Sequence, residues 1–150
     1  MYTNDKMTLT GQLKISLNGA VVQEVNNLVV TVGKNWVASR MQGVVDGVMT
    51  HMAIGEGTTA AAAGDTALVT EVARVALSVS GGAVSTNTVT FAATIPVDTP
   101  NVTAPTTSPI TEAALLNAVS GGDMLARTVF PVVNKGEADT MTISWTVTIS

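Results

Sequence analysis

Hydrophobic and polar residues alternate without a break from Thr140 to Ser150: Met141, Ile143, Trp145, Val147 and Ile149 fall on one face, and Thr142, Ser144, Thr146 and Thr148 on the other. Side chains of a β-strand point to opposite faces with a period of two, so this is a strand with one buried side. The same alternation runs near the start, with Met7, Leu9, Leu13, Ile15 and Leu17 set against Thr8, Thr10, Gln12, Lys14 and Ser16. Both ends of the chain are therefore expected in sheet. That predicts one β-rich domain over residues 7–150, preceded by a polar arm at residues 1–6.

Between these ends the punctuation is that of hairpins. Asn18-Gly19 suits a two-residue type I′ turn, which needs positive φ at both positions, and Val21 to Val25 would return from it. A second turn is expected at Asn26-Asn27, followed by a short strand from Leu28 to Val32. Residues 34–42 depart from the pattern: Trp36, Val37, Arg40 and Met41 recur at helical spacing, with Asn35 as N-cap and Gly43 as stop. The short helix would plug an open end of the sheet with Trp36.

Val48 to Gly55 reads as a strand carrying His51, and the low-complexity run Gly57 to Gly64 as a loop, with one helical turn around Asp65 to Leu68. Glu71 to Ser80 and Asn87 to Val97 look like a hairpin around Gly81-Gly82. Three prolines and four threonines make Asp98 to Pro109 an extended exposed loop. Its length raises the expectation of partner contact. Ile110 to Ala118, Met124 to Val133 and the terminal strand complete the set. Many short strands with one helix predict an all-β fold, an antiparallel β-sandwich of jelly-roll-like form.

Composition narrows what such a fold can do. Charged residues make up 12% of the 150, about half of the roughly 25% usual in soluble domains. A surface with so few charges is poorly defended against association, which points to permanent assembly. Seven basic and eleven acidic residues are scattered singly, so no basic cluster stands ready for phosphates, and nucleic acid is not an expected partner. There is no cysteine, hence neither disulfide nor thiolate metal site. No continuous apolar run reaches membrane-spanning length, and the first twenty residues lack the features of a signal peptide. Synthesis in the cytoplasm and no membrane partner are the corresponding expectations.

Candidate chemistry is sparse. His51 is the only histidine and is expected to make an ordinary hydrogen bond on its strand. Gly55 and Gly57 flank an acid that would repel phosphate, so they read as a tight turn rather than a phosphate loop. Glu71 with Arg74, and Glu112 with Arg127, are spaced to form ion pairs, expected to be exposed and of small effect. Phe91, Phe130 and Trp145 are assigned to the core, leaving few rings to stack on sugars or bases. No catalytic, cofactor-binding or metal-binding residue is nominated, and no enzyme activity is expected.

Two stretches carry a resemblance. Thr50-His51-Met52-Ala53-Ile54-Gly55-Glu56-Gly57-Thr58-Thr59, continuing through Ala63 to Leu68 and Glu71 to Arg74, resembles a segment of small structural proteins of tailed-bacteriophage virions. So do Ile110 to Asn117, Gly121 to Phe130 and Val133 to Gly136. The chain departs from that pattern at Ala60 to Ala63, an alanine block where a mixed Gly/Pro turn would follow. The resemblance implies a capsid cement or decoration subunit on the outside of the shell, bridging major capsid proteins, with its own copies as further partners in a homodimer or homotrimer. Related segments in tail or fibre-associated proteins make that location the alternative. The arm Met1 to Lys6, the loop Asp98 to Pro109 and an unpaired edge strand are the contact elements expected.

Overall fold

In a computed structural model, residues 5–43 and 47–150 are described. Among them are nine strands and one helix: β1 (Leu9–Leu17), β2 (Ala20–Val29), α1 (Thr31–Gln42), β3 (His51–Gly55), β4 (Glu71–Ala76), β5 (Ala83–Ser85), β6 (Thr88–Ile95), β7 (Thr107–Leu116), β8 (Met124–Gly136) and β9 (Met141–Ile149). All pairings are antiparallel, in the order β4-β3-β7-β8-β2-β1-β9-β6-β5. The protein is all-β with one short helix, as its pattern predicts. Its strands form one sheet curled into a half-barrel, and four of the pairings join strands adjacent in sequence, so the finer jelly-roll-like sandwich finds no support in this order.

The curl comes from β2. Its first part pairs with β1 and its last two residues, Leu28 and Val29, pair with Arg127 and Ala126 of β8. One strand thus passes from one half of the sheet to the other, and the two inner faces share a core of Leu13, Ile15, Ile54, Ile110, Phe91 and Trp145 with their neighbours. The alternation of β9 holds from Met141 to Val147: Met141, Ile143 and Trp145 are completely buried and Val147 nearly so, Thr142, Ser144 and Thr146 lie on the other face, and only Ile149, at the strand's end, is exposed against expectation. Phe91 and Phe130 are buried as expected, whereas Met7 lies before β1 and is exposed.

Asn18 and Gly19 have φ of 50° and 84° and make the expected turn. No turn follows at Asn26-Asn27, where β2 runs on. The reason is across the ladder: Gly11 faces Asn27, and a Cβ at Gly11 would stand 1.6 Å from Asn27 Oδ1, so the missing side chain makes room for the carboxamide inside. There Asn27 Oδ1 accepts a 2.9 Å hydrogen bond from the Trp145 indole. Polar asparagine reads as a turn residue until its partner is known.

Other boundaries move as well: the strand expected over Val48 to Gly55 begins at His51, and the one expected over Glu71 to Ser80 ends at Ala76. The helix starts at Thr31, one turn before the expected 34, with Val30 as the N-cap in place of Asn35, and it ends at Gly43 (φ 79°) as expected. Its start is set by packing, since Gly33 is buried against the Leu125 backbone so closely that a Cβ would lie 2.1 Å from that carbonyl oxygen. The hairpin expected around Gly81-Gly82 is not formed: β4 pairs with β3, and β6 lies between β5 and β9. Gly82 instead turns the chain where a Cβ would meet Phe91 and Val89 at 2.8 Å. Finally, β8 runs past Val133 to Gly136, accommodating Pro131 in an irregularity opposite Thr111, where proline's lack of a donor does no harm.

Candidate functional site

The chain from Glu56 to Thr70 has no regular structure, so its buried amides need acceptors from elsewhere. It lies over the outer face of β3, β7 and β8, where Ala53, Ala114, Leu116 and Met124 join Val30 and Leu68 in a second, smaller apolar cluster. That cover explains why β7 is buried on both faces from Ile110 to Leu116. No helical turn forms at Asp65 to Leu68. The segment's shape is imposed by side chains of the sheet beneath.

Chief among these is Glu112 on β7, with no exposed surface. Its Oε1 accepts from the Gly57 amide (3.0 Å) and the Thr70 amide (2.7 Å), and its Oε2 from the Val69 amide (3.1 Å). Arg127 of β8, equally buried, adds two charge-assisted bonds to Oε2, from Nε at 3.1 Å and Nη2 at 2.8 Å. The remaining guanidinium donors reach the loop: Nη2 to the Thr59 carbonyl and Nη1 to Asp65 Oδ2, both at 2.8 Å. Asp65 Oδ2 also accepts from the Ala62 amide at 2.9 Å. One carboxylate and one guanidinium thus fasten both ends and the middle of a fifteen-residue segment.

The glycines around Glu56 now have a reason. A Cβ on Gly55 or Gly57 would come within 2.5 Å of Glu112 Oε1, so both positions are bare to admit the carboxylate. Thr111 Oγ1 donates to the Gly57 carbonyl and Ser108 Oγ to Glu56, adding further fastenings on the same edge. The expectation that Glu112 and Arg127 form an exposed pair of small effect is overturned. They do pair, but inside the protein, because the loop closes over them. The other pair also forms, with Arg74 gripping Glu71 through two bonds at 2.9 and 2.7 Å, but only Glu71 is exposed: the Arg74 side chain is largely buried, and its Nη1 donates to the Ala118 and Gly121 carbonyls as well.

Burial alone would raise the Glu112 carboxyl. The Thr70 amide, Arg127 and the Val69 and Gly57 amides outweigh it and hold the group below the usual carboxylate range. Asp65 is held low chiefly by the Ala62 amide, against some desolvation, with Arg127 assisting. Both groups bind protons more weakly folded than unfolded, so their stabilisation is complete above the ordinary carboxylate range and is lost as pH falls through it toward the folded values. Urea midpoints should therefore fall between about pH 5 and about pH 1, with the Gly57, Val69 and Thr70 amides losing protection together. A Glu112→Gln protein should show a flatter acid limb, and an unchanged one would refute the assignment.

A second polar group ties down the Pro/Thr-rich loop. Buried Lys135 donates to the Pro96 carbonyl at 2.8 Å, and Glu137 takes the Ala104 amide at 3.0 Å while its own carbonyl takes the Asp98 amide at 2.8 Å. Desolvation lowers the Lys135 ammonium from its usual value, partly countered by Asp139 and Asp98. The expected loop thus spans a shorter stretch than Asp98 to Pro109, since β7 begins at Thr107. His51 bonds Thr50 Oγ1 through Nδ1 at 2.7 Å. Trp36 rests half-buried on the core at one end of the sheet and donates to the Gly47 carbonyl. Beside it, an apolar pocket of about 220 Å³ is lined by Leu9, Val37, Val89, Phe91, Val147 and Ile149, among others.

Of the expected contact elements, Met1 to Asn4 lie outside the described residues. The sheet ends in two edges, β4 and the three-residue β5, whose residues are all exposed. Among the described residues, no group of three or more His, Asp or Glu side chains converges as a metal site would need, and no helix is long and apolar enough to cross a membrane. No protein-family model, curated protein or solved structure matches the chain. Nothing in those comparisons ties it to phage structural proteins.

Proposed function

We propose that this chain is a non-enzymatic structural subunit of a tailed-phage virion: a capsid cement or decoration protein that binds the outside of the shell and stabilises it by bridging major capsid proteins, as a homodimer or homotrimer. The observation that carries this reading is where the buried charges go. Glu112 and Arg127 are engaged in holding a surface loop in one shape, and Lys135 helps hold a second. Loops ordered before contact lose less conformational freedom on binding, which favours a part whose work is to be gripped. Low charge and outward threonines along β9 suit close packing among neighbours.

Bridging works by mass action: a ligand that binds only the assembled shell stabilises it, and neighbouring contacts on a lattice raise one another's effective concentration. Gel densitometry of purified particles tests the reading. A cement should appear at a fixed, high ratio to the major capsid protein, whereas a few copies per particle would move the chain to the tail or fibre. Its absence from virions would reject both. Hydrolysis of cell-wall or capsule polymer by the purified protein, abolished by His51→Ala, would overturn the non-enzymatic part.

A further inference from the structure

Asn18-Gly19 is the only Asn-Gly pair in the chain, and that dipeptide is the one most prone to deamidate, because glycine leaves the following amide nitrogen unhindered. Here the turn is exposed, and a Cβ on Gly19 would meet nothing within 4 Å. Yet the Asn18 carboxamide is engaged at both its nitrogen and its oxygen across the sheet's end. Its Nδ2 donates to Asp139 Oδ1 at 2.7 Å, and its Oδ1 accepts from the Thr140 amide at 3.0 Å. The Asn18 amide also donates to the Thr140 carbonyl at 2.9 Å. Asp139 is itself anchored, accepting from the Gly136 amide at 2.8 Å.

We propose that Asn18 is a latent deamidation site, kept unreactive by its bonds to Asp139 and Thr140. In the reaction, the Gly19 nitrogen attacks Asn18 Cγ. The new N–Cγ bond forms as the Cγ–Nδ2 bond breaks, and ammonia leaves with the proton lost from the Gly19 amide. Water then opens the cyclic imide at either carbonyl, giving aspartate or isoaspartate, for a net exchange of amide and water for acid and ammonia. Attack requires the carboxamide to turn toward Gly19, and so to release both partners first.

The product changes the local electrostatics for good. Where Nδ2 donated to Asp139, a carboxylate oxygen now faces a carboxylate, so attraction becomes repulsion. The turn that joins β8 to β9 loses one of its ties to the first hairpin, the bond to Asp139. Lys135 and Glu137, which hold the loop after Pro96, sit beside that same turn. Deamidation thus acts as a one-way loosening of this end of the protein, set off by whatever opens the Asn18 closure.

Three samples at mildly alkaline pH decide it: folded wild type, wild type unfolded in urea, and folded Asp139→Ala, each mapped by mass spectrometry with separation of the aspartyl and isoaspartyl forms of the peptide containing Asn18. Folded wild type should react at least about tenfold more slowly than the unfolded chain, and Asp139→Ala should regain roughly that factor, as loss of a charge-assisted hydrogen bond allows. Asp139→Asn, which keeps the shape of the turn, should also react faster than wild type. Equal rates in folded and unfolded wild type would overturn the protection, and a wild-type rate in a folded Asp139 variant would overturn the role given to that residue.

Discussion

Replacing Glu112 with alanine lowers stability by about 3–5 kcal/mol, the range for removing one partner of a buried ion pair. Five donors lose their acceptor at once, and Arg127 keeps only Asp65 and the Thr59 carbonyl. Typical domains are stable by 5–15 kcal/mol, so this is a large share of the total. Urea unfolding measures the loss, and amide exchange at Gly57, Val69 and Thr70 locates it. A Glu112→Leu, Arg127→Met pair should recover part of the loss, since it removes the uncompensated charge. Recovery stays incomplete because the three amides remain without an acceptor. A loss below about 1 kcal/mol would mean that the pair behaves like one at the surface.

The second large effect is at a residue with no side chain. Gly11→Ala puts a methyl where Asn27 Oδ1 now stands, and either the carboxamide leaves or β1 and β2 separate. If Asn27 leaves, the buried Trp145 indole loses its acceptor. Overpacking and an orphaned donor each cost about 1–3 kcal/mol, so a combined loss of about 2–5 kcal/mol is expected. Shortening the opposing side chain in a Gly11→Ala, Asn27→Ala double variant relieves the clash. The two substitutions should then cost less together than the sum of each alone, a coupling that thermal melts and tryptophan emission would register. Additive losses would show that Gly11 does not serve Asn27.

Both sites depend on contacts that no local pattern carries. The period-two alternation of β9 and β1 predicted buried Leu13, Ile15, Ile143 and Trp145, because which face a strand residue occupies is a local property. Asn27 reads as a turn residue because nothing in its neighbourhood along the chain hints at the glycine facing it. Charge alone pairs Glu112 with Arg127, but their burial follows from a loop whose own residues are mostly small and exposed. Its one available signal was Gly55-Glu56-Gly57, two bare positions beside a strand that in fact admit a carboxylate.

By itself the sequence determined the all-β class, the single short helix ending at Gly43, the Asn18-Gly19 hairpin and most of the core, since propensity, turn chemistry and alternation act over a few residues. Only the tertiary structure decided that β4 pairs with β3, that β2 passes between two halves of a curled sheet, and that the alanine-rich segment is fastened from below. Those outcomes depend on groups far apart in the sequence, such as Leu28 and Arg127 across the β2–β8 pairing, or Arg127 and Thr59, 68 positions apart. Which buried polar group finds which partner is settled by chain closure, and no local pattern encodes it.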